Sequence, residues 1–525
     1  MTRSFYVTTP IYYMNGEPHI GHTYTTCVAD TLARYHRMCG EDVFFLTGSD
    51  EHGEKILETA EREGVAPRDV TDRYSAIFRE TWTDLGLGFD RFIRTTDADH
   101  VRAVQLFLQR VHDAGQIEFR EYEGQYCVGC ERFVTERDLE NGRCRDHDRV
   151  PERRSEANYF FRMSEHFAWL EATLRERPDW IRPERYRNEV LGMLRDAAGL
   201  GDLCISRPKS RLAWGIELPF DREYVCYVWF DALVNYLTAT GWPDAPGWEA
   251  RWSAAEHLIA KDILKPHGVF WPTMLHAIGL PLPRHVHVHG YWNVDEQKVA
   301  KSLGNAISPR AMDEKYGFEA FRYVLLREMS YGLDASFSED VLVARINADL
   351  ANNLGNFASR TLHMTARFAE GRVPTPGPAA APERELEAAF ADAARAVDEH
   401  LRATEPHRAL EAVQRALDAG NRYLEQREPW KAAKDAARAD EVRTTLYTAC
   451  EALRIATLLL APFVPRKAAE LWHRLGQEGS PEDARLPAAT RWGGLAPGAA
   501  TTKGEPLFPR VEPAPSDAAK PAPRS

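Results

Sequence analysis

Two histidines near the N-terminus are the first side chains whose spacing could do chemistry. His19 and His22 flank Gly21 in a Pro-His-Ile-Gly-His segment at a predicted strand-to-helix turn. A helix start offers backbone N–H groups and partial positive charge, which suits a phosphate, and Gly21 lets a ligand approach the backbone. Two imidazoles on one helical face can also donate hydrogen bonds to a developing oxyanion. The alternative is an amphipathic helix start with surface histidines.

A pair of lysines in the second half of the chain is the next candidate. Only 12 of the 66 basic residues are lysines, yet Lys298 and Lys301 stand together in a Lys-Val-Ala-Lys-Ser segment that ends at Ser302. The sequence continues Leu-Gly-Asn, so a glycine bounds the segment. Two ammonium groups on such a loop can hold a polyphosphate as point charges. For a Lys-x-x-Lys pair taken alone, a solvated basic turn is the alternative.

Cysteines form the third constellation. Cys127 and Cys130 make one pair, Cys144 and His147 make a second, and thirteen residues separate the pairs. Two intervening residues within each pair let a tight knuckle aim both ligands at one point, and three thiolates with one imidazole close a tetrahedral zinc site. A redox dithiol is the alternative for an isolated Cys-x-x-Cys, but it would not require the second pair. The spacing therefore predicts one structural zinc with no open coordination position.

The first half of the chain is predicted to position these residues with a parallel sheet. Residues 5–9 read as a strand, a turn follows through residues 10–18, a helix begins near His19, and residues 43–46 form a second apolar strand. Strand, helix and strand in this short a stretch make the βαβ unit of a parallel sheet. Residues 115–225 break that rhythm and are predicted to be an insertion, after which strands resume at 227–230 and 285–289.

The second half of the chain changes to helical patterns only. Apolar stripes over residues 386–401, 410–424 and 442–460 predict a helical bundle. The tail from Pro497 is rich in proline and alanine, so we predict that it is mostly disordered or extended, with residues 507–509 docking back on the body.

Composition limits the class of protein. The 525 residues are 44% hydrophobic and 27% charged, as in ordinary globular proteins, and the length suggests about three or four domains. The longest apolar stretch is far shorter than the roughly 18 residues that cross a bilayer, and no signal peptide is recognisable. We therefore expect a cytoplasmic protein with no membrane partner. The net charge of −12 argues against a nucleic-acid partner unless basic residues form a local patch.

The combination of motifs resembles a known family. A His-x-Gly-His near the N-terminus with a distant Lys-x-x-Lys-Ser is the paired signature of class I aminoacyl-tRNA synthetases, and the chain closely resembles the methionyl-tRNA synthetases over residues 4–510. Blocks at residues 45–53, 207–211, 227–232 and 261–263 carry that resemblance. It implies an α/β fold: a Rossmann-like parallel-sheet catalytic domain, split by a zinc-binding connective-peptide insertion of the single-zinc type and followed by an all-α anticodon-binding bundle.

The resemblance also predicts domain boundaries. They are 1–114 and 226–285 for the two halves of the catalytic domain, 115–225 for the insertion with the zinc knuckles, 286–344 for a stem-contact region with the Lys-x-x-Lys-Ser loop, 345–495 for the anticodon-binding domain and 496–525 for the tail.

The activity that the resemblance implies is ATP-dependent activation of L-methionine to methionyl-adenylate and transfer to the 3′ end of initiator and elongator methionine tRNA. His19 and His22 would stabilise the pentavalent α-phosphate, and Lys301, with Lys298, would hold the leaving pyrophosphate while Mg²⁺ sits on the polyphosphate. The implied ATP-binding residues are His19, Gly21, His22, Lys301 and Ser302.

The amino-acid and anticodon residues come from the resemblance alone. Asp50 matches the carboxylate that holds the substrate ammonium, and a thioether gains favourable contacts at aromatic edges. Without the family, scattered aromatic residues would indicate core packing, and Asn356 with Arg360 would indicate a polar helix surface. The implied methionine-binding residues are Ile11, Tyr13, Asp50, Trp229, Tyr236, His267 and Trp271. The implied anticodon-binding residues are Asn356, Arg360 and Trp430, which suit stacking and hydrogen bonding to unstacked bases.

Two departures from the family pattern lead to further expectations. Ala300 stands where the family usually has serine, which predicts activation that is retained and slower. Many bacterial relatives continue into a dimerising C-terminal module, whereas this chain ends in its tail, which predicts a monomer.

Two rival functions make different predictions. Class I synthetases for leucine, isoleucine or valine carry a much larger editing insertion than residues 115–225 allow, and the cysteine enzyme is a further rival. An RNA-binding paralogue that no longer aminoacylates would predict damage to His19, His22, Asp50 or Lys301, and all four are present. On an acidic body, tRNA would have to meet local arginine-rich surfaces; the candidates are Arg182, Arg185, Arg187, Arg360 and Arg466.

Overall fold

The computed structural model of the chain describes residues 3–129, 132–134, 138–145, 148–294, 297–298 and 307–512. Two compact bodies make up the chain. The first consists of Arg3–Ala29 and Asp42–Gly290, and the second of Asp30–Glu41 and Tyr291–Ser525. The predicted nucleotide-binding half of the sequence falls in the first body and the predicted helical half in the second.

The first body mixes strands and helices. Its strands are β1 (Ser4–Tyr13), β2 (Asp42–Asp50), β3 (Arg91–Arg94), β4 (Ile117–Cys127), β5 (Arg132–Val134), β6 (Leu139–Glu140), β7 (Arg143–Cys144), β8 (Glu152–Phe161), β9 (Ile181–Arg182), β10 (Leu203–Cys204), β11 (Ser206–Pro208), β12 (Tyr224–Cys226), β13 (Ala255–Ala260) and β14 (His285–His289). Its helices are α1 (Ile20–Met38), which continues into the second body, α2 (Glu54–Glu63), α3 (Pro67–Asp84), α4 (Ala98–Asp113), α5 (Phe167–Glu176), α6 (Glu184–Arg195), α7 (Ala197–Leu200), α8 (Val228–Leu233), α9 (Asn235–Thr238), α10 (Trp248–Ser253) and α11 (Trp271–Ala277).

A six-stranded parallel sheet organises the first body, in the order β3-β2-β1-β13-β14-β9. The chain adds β2 and β3 on one side of β1, and β14 and β9 on the far side of β13, so the direction of winding reverses between β1 and β13. Open α/β sheets bind their ligands outside the carboxyl ends of the strands at such a reversal. The predicted βαβ start and the strand at 285–289 are confirmed.

An antiparallel sheet of order β10-β8-β4-β5 fills much of the predicted insertion, with the small β6–β7 hairpin beside it in sequence. We had predicted that residues 115–225 form one continuous insertion, but part of this range belongs to the parallel sheet. Strand β9, which lies inside that range, pairs in parallel with β14 and completes the catalytic sheet. Two residues followed by a proline carry no alternating pattern from which such a strand could be recognised.

Two local predictions in the first body were wrong. Residues 227–230 are not a strand: β12 ends at Cys226, and the aromatic run opens helix α8, so tertiary packing overrides the β-propensity of Val and Trp. Strand β1 also runs on to Tyr13 through Pro10, where we had predicted a turn, with a shift in its pairing to β2 between Thr8 and Ile11. A bulge of this kind tolerates a proline inside a strand.

The second body is mostly helical. Strands β15 (Trp292–Val294), β16 (Gln297–Lys298) and β17 (Ala335–Phe337) form a small sheet. The helices are α12 (Pro309–Tyr316), α13 (Phe318–Glu328), α14 (Glu339–Arg345), α15 (Asn356–Phe368), α16 (Ala381–Arg402), α17 (Pro406–Arg427), α18 (Pro429–Ala432), α19 (Ala439–Leu460) and α20 (Pro465–Arg474), with a π-helical stretch at Ile346–Gly355 between α14 and α15. The three predicted apolar stripes are the buried faces of α16, α17 and α19, which confirms the bundle.

The described part of the tail, which ends at residue 512, is an extended segment. Leu507 and Phe508 are buried, which confirms that this segment docks back. The backbone N–H and C=O of Val511 both hydrogen-bond to the Asn347 side chain at 2.9 and 2.8 Å. The tail is therefore extended and anchored as far as residue 512, which agrees with the extended alternative of the prediction. None of the helices in the described ranges is long and apolar enough to cross a membrane.

Candidate functional site

The rings of both histidines accept backbone hydrogen bonds at the start of α1. The Nδ1 atom of His22 accepts from the backbone N–H of His19 at 3.2 Å, and the Nδ1 atom of His19 accepts from that of Gly21 at 3.1 Å. Their rings lie 3.8 Å apart, centroid to centroid. Because Nδ1 is an acceptor in both, each neutral ring carries its proton on Nε2. The fold thus fixes the tautomer in which Nε2–H is the donor for a ligand oxygen.

Gly21 owes its identity to the same arrangement. A Cβ atom at this position would stand 3.1 Å from Cε1 of the His19 ring, closer than most Cβ contacts. A side chain would therefore push the His19 imidazole away from the backbone N–H groups that it caps. The motif needs its glycine for the packing of His19 as well as for access to the helix start.

Strand ends bring three of the predicted methionine residues together. In the parallel pairing of β1 with β2, Ile11 stands opposite Gly48 and Tyr13 opposite Asp50. Asp50 is 8% exposed, and its backbone carbonyl accepts from Met14 N–H at 3.2 Å. These residues lie at the carboxyl ends of their strands, on the sheet edge where the winding reversal predicts a ligand.

Aromatic side chains from α8, α9, α11 and the turn before α11 form one cluster. The Tyr236 hydroxyl bonds to Nε2 of His267 at 2.8 Å, and the Tyr236 ring lies 6.4 Å from that of Trp271. Trp229 meets His267 edge to face, with centroids 6.4 Å apart. Trp271, Tyr236 and His267 are buried, whereas Trp229 is half-buried, so it can face a ligand. The four predicted aromatic residues are thus brought together.

Burial keeps the polar members of this cluster uncharged. It lowers the pKa of His267 to about 4, although a bond to the Ile263 carbonyl acts in the opposite direction. Burial likewise raises the pKa of Tyr236, and the nearby Asp50 carboxylate adds to that rise. Since His267 Nδ1–H donates to Ile263 O at 2.8 Å, its Nε2 accepts a hydrogen bond from the Tyr236 hydroxyl. A neutral wall of this kind suits an apolar side chain.

The sequence did not single out the side chains that hold these elements in place. His52, two residues after Asp50, bonds through Nδ1 to the buried Asp231 carboxylate at 2.6 Å. The other Asp231 oxygen bonds to Nε2 of His100 at 2.8 Å. His52 and Asp231 lie inside blocks that carry the family resemblance, but His100 stands outside every motif. Only the folded chain brings these three residues together.

Two of the four predicted zinc ligands are described. Cys127 ends β4 and Cys144 ends β7, and both are buried in one small cluster with Val134, against which Leu139 packs. Cys130 and His147 lie outside the described residues. Within the ranges that are described, no three Cys, His, Asp or Glu side chains come close enough to hold a metal.

The lysine motif lies mostly outside the description as well. The backbone of Lys298 pairs with Asn293 in the hairpin of β15 and β16, but its side chain, together with Lys301 and Ser302, lies outside the described residues. The ATP-binding and pyrophosphate roles predicted for these three residues therefore stay predictions.

The predicted anticodon residues share one surface of the second body. The Arg360 guanidinium lies 5.5 Å from the Trp430 ring centroid and 3.4 Å from a Glu425 carboxylate oxygen. Asn356, one turn earlier on α15, donates through Nδ2 to Oδ1 of Asn421 at 2.9 Å. Arg360 and Trp430 are half-exposed and Asn356 is exposed, so all three are accessible to a large ligand.

A chain of side-chain amide hydrogen bonds behind Asn356 determines which atom of the Asn356 amide faces a ligand. Asn421 Nδ2 donates to Oδ1 of Asn353 at 2.9 Å, and Asn353 Nδ2 donates to the Asp418 carboxylate at 2.8 Å. A carboxylate can only accept, so it orients each amide in turn. Asn356 therefore presents its Oδ1, an acceptor, to a ligand. Sequence reasoning missed Asn421 because nothing local marks it.

Two of the arginines proposed to meet tRNA, Arg182 and Arg187, are paired with carboxylates. Arg182 pairs with Asp179 at 2.9 Å and Arg187 with Glu184 at 2.8 Å, while Arg185 lies 5.1 Å from the Tyr186 ring. In the second body the backbone N–H of Arg466 donates to Glu319. Any RNA contact by Arg182 or Arg187 would have to compete with a neighbouring carboxylate.

Comparison with known proteins agrees with this geometry. The family model described as tRNA synthetases class I (M) matches residues 5–144 and 134–362, and that of the anticodon binding domain of methionyl tRNA ligase matches residues 373–519. The methionine–tRNA ligase of Deinococcus radiodurans is 47% identical, over 97% of this chain and 75% of its own length. That of Streptomyces coelicolor is 40% identical over 98% of both chains.

Solved structures match as closely. Mycobacterium tuberculosis methionyl-tRNA synthetase in complex with methionyl-adenylate superposes with a TM-score of 0.92 at 40% identity, over 97% of this chain and 100% of that one. A parallel sheet with a histidine-capped helix start, followed by a helical anticodon-binding domain, defines a class I aminoacyl-tRNA synthetase. Within that class, the chain belongs to the methionyl-tRNA synthetase family. It activates L-methionine with ATP and charges methionine tRNA.

Proposed function

We propose that the residues assembled at the carboxyl ends of β1 and β2 carry out methionine activation. The observation that supports this most is the neutral Tyr236–His267 pair beside Asp50, because it joins an apolar wall to a single carboxylate. The Asp50 carboxylate would hold the methionine ammonium. Trp229 and Ile11, which are partly buried and pack against the same core cluster, would contact the thioether chain.

His19 and His22 would stabilise the reacting phosphate. The methionine carboxylate attacks the α-phosphorus of ATP, a C–O–P bond forms, and the bond to the β-phosphate breaks to release pyrophosphate. The Nε2–H donors, fixed by the backbone hydrogen bonds to the two Nδ1 atoms, would bind α-phosphate oxygens as charge develops there. No side chain needs to act as a covalent nucleophile, because positioning and charge stabilisation suffice. Mg²⁺ bound with ATP would neutralise the polyphosphate.

Transfer to tRNA would follow at the carbonyl carbon of the methionyl-adenylate. The 2′-hydroxyl of the terminal adenosine would attack the methionyl carbonyl, and AMP would leave. Lys301, with Lys298, is proposed to hold pyrophosphate in the first step. On the second body, Trp430 would stack on an anticodon base, while Arg360 and Asn356 would hydrogen-bond to bases.

Zinc is proposed as a structural ion of the β4–β8 region. Two buried thiols at the ends of separate hairpins, packed in one cluster, fit a site that cross-links those hairpins. Cys130 and His147 would complete the ligand set. Metal analysis should find one zinc per chain, reduced to near zero in Cys144→Ser. Cys204→Ser, in β10 of the sheet that contains β4, is the matched control and should keep the metal.

We predict that the protein is a monomer and that it is cytoplasmic. Light scattering would test the first: we expect a mass near 59.6 kDa. A mass near twice that value would overturn it.

The assay that tests the proposed function is amino-acid-dependent ATP–pyrophosphate exchange by the purified chain. We expect exchange with methionine and background rates with leucine, isoleucine, valine and cysteine. Trp229→Ala should raise the methionine KM at least 10-fold, since burial of a thioether against an indole contributes more than about 1.4 kcal/mol. An unchanged KM would contradict the pocket assignment, and no exchange with any amino acid would contradict the function.

A further inference from the structure

A carboxylate clamped between two imidazoles lies in the core of the first body. Asp231 and His100 are fully buried, and His52 is 6% exposed. Burial by itself raises the pKa of Asp231, but the charges and hydrogen bonds of His52 and His100 outweigh it and lower that pKa. The carboxylate is therefore ionised and holds both rings through charge-assisted hydrogen bonds, which are short and directional.

Two members of this clamp stand close in sequence to methionine-pocket residues, and the third contacts the helix that carries Tyr236. His52 follows Asp50 by two residues at the end of β2, and Asp231 follows Trp229 by two residues on α8. His100, from α4, also contacts the Thr238 hydroxyl at 3.1 Å, and Thr238 shares the short helix α9 with Tyr236. One buried carboxylate thus connects the ammonium-binding end of the pocket to the elements of its aromatic wall.

The residue between Asp50 and His52 is anchored equally firmly in another direction. The buried Glu51 carboxylate accepts two hydrogen bonds from Arg94, at 2.6 and 2.9 Å, and others from Ser49, Ser75 and Thr96. The backbone after Asp50 is therefore fixed twice, once by the Glu51 network and once by the clamp. Only the clamp reaches α8 and α9.

We propose that Asp231 is a positioning residue for methionine: through His52 and His100 it sets the distance between the Asp50 carboxylate and the Trp229–Tyr236 wall. This inference rests on the proposed methionine pocket. It assigns Asp231 no contact with substrate or with the reacting phosphate. It also predicts a selective effect, because the clamp joins β2, α4 and α8, whereas His19 and His22 stand at the start of α1.

Asp231→Asn is the first test, because the amide keeps the shape but replaces one acceptor oxygen by a donor. Either His52 or His100 then loses its hydrogen bond to residue 231, and the methionine pocket is held less firmly. We expect the methionine KM in pyrophosphate exchange to rise about 10-fold while the ATP KM stays within about 2-fold. Glu41→Gln is the matched control: it breaks a buried carboxylate–imidazole pair, with His36 at 2.9 Å, in the second body and should change neither KM.

A second pair of variants separates positioning from general stability. His52 bonds to Asp231 through Nδ1, and the amide nitrogen of asparagine can occupy nearly the same place. His52→Asn should therefore keep the methionine KM closer to that of the wild type than His52→Gln, whose amide reaches the position of Nε2 instead. The unfolding temperatures of the two variants, measured in parallel, show whether both are folded at the assay temperature.

The outcomes separate this inference from the proposed pocket. If Trp229→Ala raises the methionine KM but Asp231→Asn and both His52 variants do not, the pocket stands and the positioning role is overturned. The role is also overturned if the ATP KM rises as much as that for methionine, or if His52→Asn is no better than His52→Gln. If Trp229→Ala itself has no effect, the pocket assignment is wrong.

Discussion

The methionine cluster of the first body and the anticodon surface of the second body are built in opposite ways. In the cluster, Tyr236, His267 and Trp271 are at most 2% exposed, and the polar atoms of Tyr236 and His267 are hydrogen-bonded to fixed partners. On the anticodon surface, Arg360 is 25% exposed and its partner Glu425 is 67% exposed. A small apolar side chain can be selected by a preassembled wall, whereas an RNA loop needs side chains that can exchange partners.

The difference also concerns charge. Around the aromatic wall, burial keeps His267 neutral. The Asp50 carboxylate is therefore the charged group that determines where the methionine ammonium binds. On the anticodon surface, Arg360 already has a carboxylate partner in the described structure, which RNA would replace with its own acceptors. Methionine binding should therefore depend on shape and tRNA binding on ionic strength.

The largest expected effect lies at the start of α1. His22→Ala should lower the pyrophosphate-exchange rate about 100- to 1,000-fold, the range found when one oxyanion donor is removed. His22→Gln, whose amide nitrogen can stand near Nε2, should recover part of that loss, and His22→Asn should not. Equal rates in the Gln and Asn variants would show that the capping does not set the catalytic tautomer.

The next effect belongs to the anticodon surface. Trp430→Ala should lower kcat/KM for tRNA charging about 5- to 150-fold, since one base stack contributes about 1–3 kcal/mol. Pyrophosphate exchange by the same preparation should be unchanged, because Trp430 is assigned no contact with methionine or ATP. Full charging activity would remove Trp430 from the interface.

Ionic strength should separate the two regions further. Between 50 and 200 mM salt, the dissociation constant for tRNA should rise about 10-fold or more if three or so phosphates are contacted. The KM for methionine should change by less than about 2-fold over the same range. A tRNA affinity that is insensitive to salt would contradict the role of local arginine patches on this acidic chain.

The smallest effect is expected behind the anticodon surface. Asn421→Ala removes the acceptor that orients Asn356 and should lower kcat/KM for charging about 3- to 10-fold, as for one neutral hydrogen bond. Asn352→Ala, an exposed amide in the adjoining π-helical stretch, is the control and should have no effect. If the two variants behave alike, the chain of amide hydrogen bonds does not orient Asn356.

Local patterns revealed the parts of this molecule that depend on neighbours in sequence. The spacing of His19 and His22 gave the helix start, and apolar stripes gave α16, α17 and α19. Strand β9 and helix α8 were missed or misassigned because a two-residue strand has no period and an aromatic run fits either structure. The methionine residues came from the family resemblance, since no local pattern distinguishes Trp229 from an ordinary core residue.

The clamp illustrates what sequence reasoning could not reach. His52, His100 and Asp231 are 48 and 131 residues apart along the chain, and their pairing depends on how β2, α4 and α8 pack in the first body. A lone buried aspartate is costly unless it is paired, so its identity signals a partner but not which one.

The most direct test of the contrast between the two regions is methionine binding to the tRNA-free chain. Calorimetric titration without ATP or tRNA should give a measurable dissociation constant that is the same in Trp430→Ala and is unchanged when methionine tRNA is added. That result would show a methionine pocket assembled within the first body. Binding that appears only with tRNA, or that Trp430→Ala abolishes, would contradict the account.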